Sequence, residues 1–322
     1  MFTAYVESFD ADNPLAGLRL GDRPAPQPPV GWTTVDVKAA ALNHHDVWSL
    51  RGVGLRADQL PMTLGCDGAG IDEEGNEVVV HAVVSSQGWT GDETLDPKRS
   101  LLSELHQGTL AEKVVVPRSN VIPKPASLSF EEAACLPTAW LTAYRMLFTQ
   151  AALKPGDSVL VQGAGGGVAT ALITLARSAG MRVYATSRSS AKRERALELG
   201  AHAVLEPGAR LPTRVDAVME TVGAVTWSHS VKSLRPGGTV VICGATSGSQ
   251  PDNAELTRIF FLQLRVLGST MGTRGELESL VKMLEVTGAR PLIDRVLPLD
   301  QARDGFTAMI AGDVFGKIVL TV

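Results

Sequence analysis

The stretch of this 322-residue chain that most restricts its fold begins at Ser158. There VLVQ passes straight into Gly163, Ala164, Gly165, Gly166 and Gly167, and Val168, Leu172, Leu175 and Ala179 then recur at helical spacing. A strand that enters a helix through small residues can turn sharply and bring its backbone close to a pyrophosphate. The phosphates then lie against free amides at the positive end of the helix. The uncharged run from Ser158 to Ala176 is long enough to imitate a membrane span, but its glycines divide it into a strand, a turn and a helix. From Asp157 onward the alternation continues through RVYATS, AKRERALELG, AHAVLE, VDAVMETVG, VTWSHSVKSL, GTVVICG and LRVLGST. Strands alternating with helices predict parallel strands joined by right-handed crossovers, a doubly wound α/β sheet.

The first 120 or so residues have another character. Short strands, FTAYVESF, LAGLRL, TTVDVKAAALN, NEVVVHAVV and AEKVVVP, are separated by breakers such as GDRPAPQPP and DEEGN. Between Ser85 and Gly108 the pattern gives way to a polar loop with Trp89 and the acidic run GDETLD, and no element is assigned there. After VIPKPAS, Ser129 and Glu132 form a capping box that opens a long apolar helix, FEEAACLPTAWLTAYRMLFTQA, with Pro137 expected to kink it or end its first half. The tail, RVLPL and GKIVLTV around the helix DQARDGFTAMIAG, could join either region.

The strand after the glycine cluster should indicate which dinucleotide is bound. With the fingerprint register at Ala164, Gly166 and Ala169, an NAD site would place an acid about 20 residues on to hold the adenosine ribose. Here the strand ends Thr186, Ser187, Arg188, Ser189, Ser190, and no acid appears before Glu194. Arg188 and Lys192 offer cationic donors, and the serines hydroxyls, for a 2′-phosphate. NADPH is the expected cofactor.

Composition narrows the class. With 44% hydrophobic and 20% charged residues and a net charge of −4, the chain is an ordinary globular protein of two-domain size, neither disordered nor a nucleic-acid binder. Cys66, Cys135 and Cys243 are odd in number and widely spaced, so neither a disulfide framework nor a four-cysteine zinc site is expected, and a reducing cytoplasm fits. The acidic amino terminus is unlike a signal peptide, and no membrane partner is expected.

Several segments together carry a resemblance: ALNHHDVWSLRG, PMTLGCDGAG, EEAACLPTAWLTAYRML, KPGDSVLVQGAGGGVATALITLARSAG, VDAVMETVG, SLRPGGTVVICG and FGKIVL. Over nearly its whole length the chain resembles the medium-chain dehydrogenase/reductase superfamily, in particular its zinc-free quinone oxidoreductase-like branch. The resemblance implies a GroES-like β-barrel catalytic domain from residues 1–124 and 293–322 and a Rossmann cofactor domain from 125–292. It places cofactor contacts at His44, Thr142, Ala164, Gly165, Gly166, Gly167, Val168, Thr221, Val222, Gly244, Ala245, Thr246, Ser269 and Lys317, beside Ser187, Arg188 and Lys192. In zinc-dependent members the catalytic ligands fall where this chain has Asn43, Cys66 with Asp67, and Thr138, of which only Cys66 is a good ligand, so no metal is expected.

Asn43 and Thr138 are then the candidates to stabilise charge on a substrate oxygen. His45 is the candidate proton donor, and Asp46 is a residue that orients its neighbours. The implied function is NADPH-dependent, zinc-independent hydride transfer to a quinone or an α,β-unsaturated carbonyl compound, by a homodimer pairing through LRVLGST. The alternatives are a zinc-dependent alcohol dehydrogenase and a catalytically silent NADPH-binding protein.

Overall fold

A computed structural model describes residues 1–322. The chain packs as two units. The first comprises Met1–Leu141, Met271–Val286 and Ile293–Val322, and the second Thr142–Thr270 with Thr287–Leu292. The segments 125–141 and 271–286, assigned above to the cofactor domain, thus pack with the β unit.

The organising element of the first unit is the ten-residue strand Trp32–Ala41. Val35, Val37, Ala39, Ala40 and Ala41 are buried along it, and it pairs antiparallel with Asp67–Asp72, Lys113–Pro117 and Lys317–Thr321. The sheet runs in the order Val121–Pro123, Glu77–Val80, Asp67–Asp72, Trp32–Ala41, Lys317–Thr321 and Ile293–Pro298, and a three-stranded sheet is built around Phe2–Val6. Asp67–Asp72, DGAGID, carries few strand-forming residues and escapes a propensity-based reading. Its place is set by close approach, because a Cβ on Gly70 would stand 2.1 Å from the Asp36 carbonyl oxygen. The tail joins this unit, with Phe306 of the helix Ala302–Ala311 fully buried among Leu18, Leu42, Leu50 and Leu64.

The loop between Ser85 and Gly108 is organised by its acids. Asp92 caps the short turn Glu93–Leu95 by accepting from the Thr94 N–H at 2.8 Å. Asp96 accepts from the Ser86 N–H and hydroxyl at 2.6 and 2.7 Å. The run GDETLD is therefore a set of local caps rather than a solvated charge cluster. At the loop's end the chain presents Ser103 and Glu104.

The expected helix opens on its capping box: the Glu132 N–H donates to Ser129 Oγ at 3.2 Å, and the Ser129 N–H to Glu132 Oε2 at 2.9 Å. Pro137 supplies no backbone donor, and Leu136–Trp140 widens into a π-helical turn, followed by the α turn Leu141–Tyr144 and a second π turn at Arg145–Gln150. Arg274–Thr287, a further helix beyond the alternation, buries Leu277, Leu280, Val281 and Leu284 at helical spacing in the first unit.

The second unit is the anticipated doubly wound sheet. Six parallel strands lie in the order Ala203–Leu205, Arg182–Thr186, Ser158–Val161, Val215–Glu220, Leu234–Ile242 and Arg265–Gly268. Chain order reverses between Ser158–Val161 and Val215–Glu220, which is where open α/β sheets bind ligands beyond the carboxyl ends of their strands. The protein is an α/β molecule with a GroES-like unit and a Rossmann-type unit.

Candidate active site

The cofactor candidates of the second unit gather at one edge of its sheet. Ala164, Gly165, Gly166, Gly167 and Val168 follow the first strand, Ser187 and Arg188 the second, Thr221 and Val222 the fourth, Gly244, Ala245 and Thr246 the fifth, and Ser269 the sixth. The helix Gly167–Ser178 starts at the turn, so its first amides face the space beyond the strand ends. Gly165 has a φ of +131°, and a Cβ there would stand 2.9 Å from Lys192 Cδ and 3.4 Å from its Nζ, so the lysine lies across the turn. Ser187 is buried at the end of its strand and Arg188 is exposed beside it. No carboxylate lies between Thr186 and Arg193. A cradle that a side chain would fill, free helix amides and two nearby cations fit a phosphorylated dinucleotide.

Beneath this edge lies a buried polar network that sequence reasoning missed. Glu220, fully buried, accepts at Oε1 from the Val222 and Gly223 N–H groups and the Thr226 hydroxyl, and at Oε2 from Ser230 Oγ at 2.5 Å. Gln162 donates to Ser230 Oγ and His229 Nδ1, both at 2.9 Å, and accepts from Thr186 Oγ1 at 2.6 Å. These bonds tie together the ends of three neighbouring strands and fix the loops that carry Thr221 and Val222. Thr142 is buried on its α turn, and the Ser269 hydroxyl is buried without a partner.

In the first unit the short helix His44–Leu50 follows directly on Trp32–Ala41, so the strand end delivers Asn43, His44, His45 and Asp46 in sequence. Asp46 is fully buried and its two oxygens accept the N–H groups of Asn43 at 2.8 Å and Gly65 at 3.0 Å. It closes the helix start and anchors the next loop, which makes it structural rather than a group at a reacting atom. Asn43 also differs from expectation. Its Oδ1 accepts from Lys317 at 2.7 Å, and its Nδ2 donates to Asp67 Oδ2 at 2.8 Å and to the Ala41 carbonyl at 3.3 Å. With both amide protons held inside the unit, Asn43 has none to offer a substrate oxygen. Thr138 Oγ1, by contrast, is buried and without a partner.

Lys317, expected at the cofactor, sits almost fully buried in the first unit. Its three protons are matched by the Leu42 carbonyl at 2.7 Å, Asn43 Oδ1, and Asp67 Oδ2 at 3.0 Å. An ammonium therefore stands among the side chains matched above to metal-ligand positions. Asp67 is its counter-ion, a residue that only the GCD run of PMTLGCDGAG had marked.

His45 is partly exposed and hydrogen-bonded on both sides. Nε2 meets Glu104 Oε1 at 3.0 Å, and Nδ1 lies 3.4 Å from Cys66 Sγ and 3.5 Å from Ser103 Oγ. Burial opposes a charge on the ring, but the Cys66 sulfur, the Glu104 carboxylate and Asp46 outweigh it and hold His45 well above its usual 6.5. Burial pushes the Cys66 thiol up, and its sulfur donates to the Leu102 carbonyl at 3.1 Å, so the carboxylates of Glu104 and Asp46 are the groups that favour the charged ring. His44 is exposed at the first helical position. Cys135 and Cys243 are pushed up to about 12 by burial and are inert thiols.

A doubly wound sheet with a dinucleotide cradle, joined in one chain to a GroES-like unit, defines a nicotinamide-dependent oxidoreductase class. Comparisons with known proteins agree. The family model described as alcohol dehydrogenase GroES-like domain matches residues 29–126, and that described as zinc-binding dehydrogenase matches 167–286. A zinc-type alcohol dehydrogenase-like protein of Schizosaccharomyces pombe is 30% identical over 91% of each chain. The solved structure of an NAD-dependent alcohol dehydrogenase superposes with a TM-score of 0.91 at 34% identity, covering 100% of both chains. A 2-octenoyl-CoA carboxylase reductase in complex with NADP and 2-octenoyl-CoA matches with a TM-score of 0.89 at 25% identity, covering 99% of this chain and 87% of that one. The chain belongs to the medium-chain dehydrogenase/reductase superfamily and is an oxidoreductase of that type.

Removing the buried cation tests the core of the first-unit site. Lys317→Met leaves Asp67 as an unpaired buried carboxylate and is expected to cost about 3 to 5 kcal/mol of stability. The check is the denaturant midpoint at unchanged slope. A loss below about 1 kcal/mol would show that the pair holds little.

Proposed function

We propose that this protein is an NADPH-dependent, zinc-independent oxidoreductase acting on a quinone or an α,β-unsaturated carbonyl compound. The observation that carries the reading is the Lys317 ammonium on Asn43 Oδ1 and Asp67 Oδ2. The zinc that the family descriptions imply finds an amide, the Cys66 thiol beside the ion-paired Asp67 carboxylate, and a hydroxyl at the matched positions, with a cation already among them and one good ligand where three are needed. A nearby group, His45, Asp46 and Cys66, brings its ligand atoms within 4.8 Å of one another. However, both Asp46 oxygens hold backbone N–H groups, and the Cys66 thiol donates to a carbonyl. Neither set fits a zinc ion.

NADPH, when bound, supplies the hydride. The chain's own residues bind it at the turn Gly163–Gly167 and distinguish its 2′-phosphate with Ser187, Arg188 and Lys192. An acceptor with a conjugated carbonyl takes up charge on its oxygen as it is reduced, and Thr138 Oγ1 is the unpartnered hydroxyl that can donate to it. His45 holds the proton that the reduced product needs. The likeness to a 2-octenoyl-CoA carboxylase reductase with NADP supports both the conjugated acceptor and the cofactor. The likeness to an NAD-dependent alcohol dehydrogenase favours a second reading, direct reduction of a simple carbonyl, and a panel of acceptors followed by NADPH absorbance separates the two.

The free cysteines suit a reducing cytoplasm. The exposed edge strand Arg265–Gly268, with Val266 outward and Phe260 and Phe261 exposed on the helix before it, supports a homodimer. Light scattering should then return about twice the 34.0 kDa of one chain, and a monomer would refute it.

Two solution outcomes test the enzymatic reading. One or two charge-assisted bonds to the 2′-phosphate, each worth about 1.5 to 3 kcal/mol, should favour NADPH over NADH by more than tenfold, and Arg188→Ala should narrow the gap. Equal dissociation constants in a fluorescence titration would remove the NADPH reading. Turnover should persist in a strong chelator, with no stoichiometric zinc by elemental analysis. About one zinc per chain, lost together with activity, would favour the alcohol dehydrogenase reading.

A further inference from the structure

We propose that Arg193 is a positioning residue for cofactor selectivity, its guanidinium holding the backbone of Ser187 and Arg188 so that those two side chains meet the 2′-phosphate. The proposal rests on the reading above that the cofactor is NADPH, and it gives Arg193 a part in selectivity without contact to the phosphate.

The strand Arg182–Thr186 ends just before these residues, and the helix Ser190–Glu198 begins just beyond them, with the Lys192 N–H donating to Ser189 Oγ at 3.3 Å. Side chains on a helix lean back toward its start, and from the first turn Arg193 reaches the connection. Its Nη1 donates to the Ser187 carbonyl at 2.7 Å and, more weakly, to the Arg188 carbonyl at 3.3 Å. Its Nη2 pairs at 3.4 Å with Oε1 of Glu206, which follows the neighbouring strand Ala203–Leu205. The Ser187 N–H donates to the Leu205 carbonyl at 3.1 Å. Both polar groups of the Ser187 backbone are thus fixed, one by the neighbouring strand and one by the guanidinium. A planar fork reaches two carbonyls and a carboxylate at once, which a point charge on a shorter stem does not.

Each of these bonds bears on the phosphate. The connection lies beside the glycine cradle, since the Ala164 N–H donates to the Thr186 carbonyl at 2.7 Å. Ser187 Oγ accepts the Ser189 N–H at 3.3 Å, which leaves its own proton to donate to a phosphate oxygen. Arg188 is exposed, and with its carbonyl anchored only its side chain must be ordered when the phosphate arrives. The donors of Arg193 go to carbonyls and to Glu206, so it acts through the backbone and not as a further phosphate ligand. NADH carries no 2′-phosphate and gains nothing from this arrangement.

The test measures NADPH and NADH dissociation constants by fluorescence titration, using full-length native protein, Arg193→Met, Arg193→Lys, Arg188→Ala, and Arg188→Ala combined with Arg193→Met. Arg193→Met should weaken NADPH binding about fivefold or more and leave NADH within about twofold, so that the loss falls on selectivity alone. Arg193→Lys, which keeps the charge without the fork, should lie between Arg193→Met and the native protein. In the double variant the NADPH loss should be smaller than the product of the two single losses, because Arg193 works through a residue already removed. A loss equal to that product would make Arg193 an independent phosphate ligand and overturn the proposal. An Arg193→Met protein that loses NADPH and NADH alike would reduce Arg193 to a structural role, with the same consequence. Native NADPH affinity in Arg193→Lys would show that charge alone suffices, and it decides against the proposal even where Arg193→Met does not fold. If the native protein prefers NADPH by more than about tenfold and Arg193→Met keeps that preference, the proposal is overturned and the cofactor reading stands. Equal constants in the native protein remove both.

Discussion

A buried ammonium holds the first unit together. Lys317 begins the last strand, and its three hydrogen bonds reach the Leu42 carbonyl and Asn43 at the end of the central strand and Asp67 at the start of the neighbouring one. One charge thereby fixes where three strands terminate, and the helix carrying His44, His45 and Asp46 departs from that point. Burying such a pair is costly unless every donor and acceptor is matched, and the lysine's protons are. The Oδ1 of Asp67 alone is left without a partner. The same pair puts an ammonium, neutralised by Asp67, among the side chains matched to metal ligands in zinc-dependent members of the superfamily.

The second unit uses a different device for the same purpose. Its sheet edge must present amides and small residues to a phosphorylated ligand, so its loops cannot be held by bulky packing. A neutral and anionic network of Gln162, Glu220, Ser230, His229 and Thr186 does this from below, with Glu220 satisfied entirely by N–H and O–H donors. Such a fully matched network is rigid in a way that a partly matched one is not. The loop edges are thereby set before a ligand arrives, which lowers the ordering cost of binding.

Much of this was legible in the chain. The period of the apolar residues, the glycine cluster and the capping box at Ser129 read correctly as parallel strands, a strand-to-helix turn and a helix start, because each is a local pattern acting over fewer than a dozen residues. Asp67–Asp72 was not legible, since its strand character comes from two neighbours that pair with it and not from its own residues. The π turn Leu136–Trp140 arises where the donor missing at Pro137 meets a buried site. The acidic loop offered no assignable element because its carboxylates act as caps on nearby backbone rather than following a helical or strand period.

For the site, sequence alone determined which residue types are present: a turn that can approach a pyrophosphate, a strand end with serines and an arginine in place of an acid, and the run Asn43, His44, His45, Asp46. Those are properties of adjacent residues. Only the tertiary structure decided what the side chains do, because the partners lie far away in the chain. Asn43 and Lys317 are 274 residues apart, and His45 and Glu104 are 59 apart. That separation turned Asn43 from a free donor into part of a buried cluster, tied Asp46 to the Gly65 N–H, and set Glu104 against His45. A hydrogen bond depends on distance in space, and only the folded chain supplies it.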